Sequence, residues 1–424
     1  MNFELYNSTK LIASTPKNYD HSVGYHDIRP FNPSNKNLIA LHRYPLKTTT
    51  LYKKILPVID ICLWDLKTNT IKKINETNAW SWEQGARLQW INSSELIFNK
   101  FQENKIKSCV YNIETQSEAY LENPIYSINT ATKKSLFISY SRLWSLWSGY
   151  GYNLGLDLKD IEQKPKNDGV FYANLNSNKK LVLSIFDAVK LCDLESVKEP
   201  FFIAHPTFSP DGKKFVSLLR FTNSSGALIS YLISTSISNL KSEVVARERV
   251  SHFEWVNNDT LIVWTRNLNK TLQKLRINIY MEKYIVSFAK KIIKSFNSNI
   301  QTKLLSTHFY LINLNDKNNA IILDKDILTE DGHPQISNCG RFLVNDTYPD
   351  KDNYQKLMIY DIKKEKTHSL GRFKTADYLS NNKLKYDLHP RWSNDDKLIN
   401  FDSSHEIGRQ SYILDIRKLL DKVK

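Results

Sequence analysis

His205–Phe221 reads HPTFSPDGKKFVSLLRF. Apolar residues alternate through its first half, SPDG supplies residues that self-cap and accept positive φ, and KKFVSLLRF returns as a second apolar strand. The same order recurs six times: HDIRPFNPSNKNLIALHR from His26, GARLQWINSSELIFNKF from Gly85, NPIYSINTATKKSLFISYSR from Asn123, SHFEWVNNDTLIVWTR from Ser251, GHPQISNCGRFLVNDTY from Gly332 and DLHPRWSNDDKLINFDSS from Asp387. Self-similarity on this scale is the mark of a repeat architecture.

Behind most units lies a third strand with an acidic or polar turn, as in VIDICLWDLKTN, KLMIYDIKKEK and QSYILDIRK. Each unit is thus a sheet of three or four antiparallel strands that cannot bury both its faces alone. Stacking the sheets around an axis covers those faces. The pattern predicts an all-β, seven-bladed β-propeller occupying residues 1–424 as one domain, with units starting near 26, 85, 123, 205, 251, 332 and 387. The longest gaps follow the third and fifth units, so 145–200 and 267–330 are expected to hold insertions or degenerate strands. Tyr284–Phe296 can be written as an amphipathic helix, but YIVSF and KKIIKSF read as two strands, which is the reading taken. Two β-sandwiches are the competing architecture, and they give no reason for one turn to repeat seven times.

A chain of 424 residues exceeds one compact core unless it is built by repetition. Apolar residues at 41% and aromatics at 12% exclude a disordered or fibrous chain. No run approaches the roughly 20 apolar residues of a membrane-spanning helix. The opening MNFELYNSTKLIAS lacks both a basic start and a continuous apolar stretch, so neither membrane attachment nor export is expected. Cys62, Cys109, Cys192 and Cys339 are far apart and are expected to be buried, reduced thiols in a cytoplasmic setting. The net charge of +15 favours an acidic partner, yet the lysines are spread through turns rather than forming a block, so no nucleic-acid partner is expected.

In a propeller, inner-strand starts and second-strand ends meet around one face of the hub. Here the first register holds His26, His205, His252, His333 and His389. The second holds His42, Arg43, Arg142, Arg220, Arg266, Asp346, Asp350 and His405. Such a ring of imidazole, guanidinium and carboxylate can bind a metal, an anion or both. A His before Pro can equally cap a turn, and Arg142 or Arg266 can pair with an acidic group of the next blade.

HPTFSPDGKKFVSL and HPRWSNDDKLINF resemble the Tol-type propeller repeat, a relative of WD-type repeats. WSWEQGARLQW, SRLWSLWSGYGY, VSHFEW, NDTYPD and DLHPRW extend the likeness across most of 20–416 to the propeller polysaccharide lyases, the oligogalacturonate and ulvan lyase relatives. That resemblance implies β-elimination on an acidic, uronate-containing oligosaccharide or polysaccharide. Such a reaction needs the carboxylate neutralised, a base for the C5 proton and a donor for the leaving oxygen. In the oligogalacturonate lyases three His and a Gln hold a metal, and a nearby Arg and His are implicated in proton abstraction. The resemblance therefore assigns metal binding to His333 and His389, with the divalent ion Mn, Zn or Ca. It makes Arg220 and His252 the base-and-charge pair, with His205, which begins the same unit as Arg220, as the third catalytic candidate.

Where those lyases carry Gln, two intervening residues and a His-x-His pair, this chain reads Leu384, Lys385, Tyr386, Asp387, Leu388, His389. Asp387 can serve as an oxygen ligand, with His405 or Gln410 completing the site, or it can hydrogen-bond His405 and fix the last blade. Arg142, Arg266, Trp144 and Tyr150 are the candidate substrate contacts. Trp144 and Trp147 either stack on sugar rings or pack in the core, where Trp90 and Trp255 are expected. The alternative function is a non-catalytic propeller binding glycan or protein partners through the same face.

Overall fold

The computed structural model describes residues 2–45, 57–175, 177–266, 307–376 and 386–423. The strand reading of Tyr284–Phe296, and with it most of the gap after the fifth unit, lies outside the described residues. So do Leu384 and Lys385. Seven antiparallel sheets follow one another along the chain, and together they make a seven-bladed β-propeller. From inner to outer strand they run Asp20–Ser22 to Thr70–Thr77 (blade 1), Gln89–Trp90 to Glu118–Leu121 (blade 2), and Ile125–Asn129 to Lys180–Ser184 (blade 3). Next come Phe202–Phe208 to Ser242–Ala246 (blade 4), Phe253–Trp255 to Asp316–Ile322 (blade 5), Gln335–Ile336 to Lys366–Lys374 (blade 6), and Arg391–Trp392 to Gln410–Asp415 (blade 7).

The N-terminus closes the ring. Lys10–Ser14 is the outermost strand of blade 7, with Leu11 opposite Leu414 and Ser14 opposite Tyr412. Phe3–Leu5 adds a fifth strand to blade 6, with Phe3 opposite Phe373. Blade 7 therefore combines the two ends of the chain, and its free edge is covered.

Burial follows the radial plan. The second strand of blade 4, Lys214–Thr222, is buried over seven consecutive residues, whereas the outer strand of blade 5, Asp316–Ile322, is exposed or half-exposed throughout. Second strands are covered on both faces, so LIALHRY, KFVSLLRFT and TLIVWTR read as near-continuous apolar runs rather than strict alternation. Among the described residues each of the seven blade-to-blade interfaces has its own apolar cluster. Blades 6 and 7, for example, meet through Val344, Ile359, Trp392, Ile399 and Phe401.

The gap at 145–200 holds both an insertion and ordinary strands. Ser139 caps a helix over Tyr140–Leu146 by accepting the Arg142 N–H at 3.2 Å, and a long loop then leads to Gly169–Asn174. After Lys180–Ser184 a second helix, Ile185–Leu191, leads toward blade 4. The thiols depart from expectation at one position. Cys62, Cys109 and Cys192 are buried, but Cys339 is exposed because it sits in the turn of a hairpin. No helix among the described residues is long and apolar enough to cross a membrane.

Candidate functional site

The five histidines expected at inner-strand starts converge at the hub, although only His252, His333 and His389 precede their inner strands; His205 lies within Phe202–Phe208 and His26 follows Asp20–Ser22. His205 and Pro206 fall where the pairing of Phe202–Phe208 with its neighbour skips register, a bulge that re-aims the side chain. His205 and His389 have φ of +53° and +43°. This left-handed region disfavours residues with a Cβ, and a following Pro restricts them further. Such strain is held only where the surroundings fix it, typically at functional sites. Tyr25 stands among the imidazoles, its ring centroid 4.5 Å from His26, 5.0 Å from His205 and His389, and 6.1 Å from His333. His333 lies 4.4 Å from His252 and 4.3 Å from His389.

Four of these rings are oriented by an acceptor on Nδ1. His26 meets the Pro334 carbonyl at 3.0 Å, His252 the Asp331 carboxylate at 2.9 Å, His333 the Asp346 carboxylate at 2.9 Å and His389 the Gly24 carbonyl at 3.2 Å. An acceptor there places the proton on Nδ1 and turns Nε2 to the centre, the arrangement seen around metal-ligating or general-base histidines. Asp346 does more than orient one ring. It also accepts the backbone N–H of His333 at 2.7 Å and that of His389 at 3.0 Å, which ties blade 6 to blade 7. Gly332 permits this approach, since a Cβ there would lie 1.9 Å from the Asp346 carbonyl oxygen.

Electrostatics separate the rings. Burial holds His26 and His389 well below the ordinary imidazole value, with the neighbouring His333 adding to the effect. Burial also works against a charged His333, but the Asp346 carboxylate outweighs it and lifts this imidazole to about 9. Asp331 is held below the usual carboxylate range in spite of its burial, chiefly by His252.

The ligand atoms of His333, Asp387 and His389 lie within 4.8 Å of one another, and all three residues are buried. His333 Nε2 stands 3.9 Å from Asp387 Oδ2, and His389 Nε2 is buried without a hydrogen-bond partner. Two imidazoles with engaged Nδ1 atoms plus a carboxylate are a donor set for a divalent transition metal. His405 is not part of this group. Its ring packs 5.0 Å from Phe3, 5.2 Å from Phe373 and 4.4 Å from Tyr412, and its Nδ1 meets Ser403 Oγ at 2.8 Å. Gln410 is likewise committed elsewhere, to Thr15, His21 and the Tyr19 carbonyl. Gln355 instead donates to Asp387 at 3.5 Å.

Arg220 comes to the hub from the end of the second strand of blade 4. Its guanidinium lies 4.5 Å from the Trp147 ring, and its Nη2 donates to the Ser251 carbonyl at 3.3 Å. Trp147 stacks on Tyr150 at 3.6 Å, and both rings approach His205, at 5.7 and 5.5 Å.

The other candidate contacts are placed differently. Trp144 turns away, its indole N–H donating to Asp157 at 2.7 Å: it lies within the helix, whereas Trp147 is the C-cap residue, where the backbone leaves helical geometry (φ −152°, ψ 70°). Arg142 is a wall residue, donating to the Phe201 carbonyl at 2.7 Å and the Glu162 carbonyl at 2.6 Å. Arg266 ends its strand opposite Thr307. His42 spans blades 1 and 2 between the Ser22 carbonyl and the Ala86 N–H, and Arg43 pairs with Asp60. Trp90 and Trp255 are buried as expected. Tyr25 and Asp331 were not foreseen, since neither falls in a repeating register. Tyr348, 5.6 Å from His333, lies in the NDTYPD stretch.

No protein-family model and no curated protein matches the chain. Solved structures do. An oligogalacturonate lyase from Vibrio parahaemolyticus superposes with a TM-score of 0.61 at 12% identity, covering 98% of this chain and 97% of that one. An oligogalacturonate lyase in complex with manganese gives 0.40 at 12% identity, covering 97% and 95%. TolB from Acinetobacter baumannii gives 0.39 at 11% identity, covering 85% and 77%. The first carries the conclusion that the chain resembles oligogalacturonate lyase in fold, and at that identity the conclusion stops at the fold.

Proposed function

We propose that the hub binds a uronate-containing oligosaccharide and cleaves it by β-elimination. The observation behind this reading is the convergence, in one buried cluster, of an Asp-oriented imidazole, a guanidinium with open hydrogen-bonding capacity and a group of metal-type ligands. His252, with Asp331 on its Nδ1, presents Nε2 as the base for the C5 proton. Arg220 neutralises the substrate carboxylate and stabilises the charge that develops there. As the C5 proton moves to His252, the C4–O bond breaks and the C4=C5 double bond forms, and the leaving oxygen takes a proton. Tyr150 and Tyr348, both kept protonated by burial, are the available donors. His333, Asp387 and His389 suit manganese or zinc better than calcium, which prefers an all-oxygen shell. Such an ion would add Lewis-acid neutralisation of the carboxylate.

If the protein is cytoplasmic, its substrates are imported oligosaccharides or glycans in assembly. One observation favours non-catalytic binding of a glycan or protein partner instead: the hub is deeply enclosed, with His333 1% and His389 0% exposed. The test is the ultraviolet absorbance of unsaturated uronate when the manganese-loaded protein meets a panel of uronic-acid oligosaccharides. The lyase reading expects turnover that Arg220→Ala lowers at least ~100-fold, the loss typical of one transition-state charge contact. No turnover across the panel leaves the binding reading.

A further inference from the structure

His205 differs from the other four hub imidazoles in what faces its Nδ1. Instead of a carbonyl or carboxylate, the Tyr126 hydroxyl lies at 2.9 Å and the Gln84 amide nitrogen at 3.4 Å. The same Gln84 nitrogen donates to the Tyr126 oxygen at 2.7 Å, so the tyrosine's own proton is directed onto His205 Nδ1. The Arg87 guanidinium, 4.2 Å from the Tyr126 ring, strengthens that phenol as a donor. All these groups are buried. A bare Nδ1 puts the proton of a neutral ring on Nε2, and burial together with Arg220 keeps the ring neutral.

His205 Nε2 is buried with no partner, and so is Arg220 Nε. Both residues are 4% exposed, and both flank the Trp147 ring. Two buried N–H groups without an acceptor are costly unless a ligand supplies one. A negatively charged oxygen pair satisfies both, and a planar carboxylate matches the guanidinium geometry.

We propose that Gln84 and Tyr126 lock His205 as its Nε2–H tautomer, so that His205 and Arg220 form a two-donor cradle for a carboxylate against Trp147. His205 is then a binding group, and the proton-accepting role stays with His252. The identity of the carboxylate as a uronate rests on the function proposed above, but the cradle itself does not.

The experiment is long-range nitrogen–proton NMR on protein labelled with nitrogen-15 histidine, His205 being assigned by the signals lost in His205→Gln. Sodium acetate is the probe and acetamide its uncharged control. In the unmodified protein at pH 7, His205 should show an unprotonated Nδ1 and a protonated Nε2. Acetate, unlike acetamide, should shift that Nε2 resonance. Tyr126→Phe should move His205 toward the other tautomer and weaken acetate binding about tenfold, the size of one lost hydrogen bond to a charged group. Tyr152→Phe, which removes a buried hydroxyl outside the relay, should do neither. A protonated Nδ1 in the unmodified protein, or equal responses to acetate and acetamide, overturns the proposal. Neither readout involves turnover, so failure of the elimination assay alone would leave the cradle standing.

Discussion

Asp346 shows how much one side chain organises here, since its two oxygens hold the His333 ring and the backbones of two blades. The histidines around the walls answer a different physical question, namely what acid does to the fold. Burial, the leading cause in each case, lowers His21, His42 and His405 to about 4, against 6.5 for the free side chain. Between those values the unfolded chain binds protons that the native state refuses. Their contribution to stability is therefore complete above pH 6.5 and is lost as pH falls toward 4, at about 1.4 kcal/mol per pH unit for each independent group. Urea unfolding at pH 7, 5.5 and 4.5 should show a steep decline, and a flat profile would contradict the buried, neutral assignment. His205, His333 and His389 were legible because a His–Pro step recurs, and His26 and His252 because they fall at the openings of repeat units. Tyr25 and Asp331 were not, because nothing in their local sequence marks them as facing an axis that only closure creates.

At the scale of the element, two features decide the site. The first is the helix over Tyr140–Leu146. The SRLWSLWSGYGY stretch reads as a loop, with its two tryptophans interchangeable. The Ser139 cap makes the start of the stretch helical, which sends Trp144 to Asp157 and leaves Trp147 beside Arg220. The second is the pair of N-terminal strands. Lys10–Ser14 carries no repeat signature of its own, because it completes a blade whose partner strand Gln410–Asp415 lies about 400 residues away. Deleting Met1–Ser14 leaves the backbone of that partner strand unpaired and uncovers apolar surface at Leu414 and Tyr412. The expected outcome is loss of a single cooperative unfolding transition and concentration-dependent association in sedimentation. A truncated chain that stays monomeric with an unchanged transition would show that the ring does not depend on this closure.

Across the whole molecule, the repeated hairpin carried the propeller because each turn is local chemistry, readable residue by residue. The seven interface clusters are the physical counterpart of that repetition. The site was legible in part: His333, His389 and Asp387 meet, and Arg220 lies at the hub with His205 and His252. His405 and Arg142 sit in register with them but belong to the walls, since register fixes where a residue lies along a strand and not which contacts satisfy its side chain. The metal reading proposed above requires that ring closure bring His333 of blade 6 together with Asp387 and His389 of blade 7 as a divalent-metal site. Anomalous diffraction from crystals soaked in manganese tests it most directly. A single strong peak bounded by His333 Nε2, His389 Nε2 and the Asp387 carboxylate is expected, and it should disappear in His389→Ala. Manganese bound elsewhere, or a hub that stays empty at saturating metal, would contradict it.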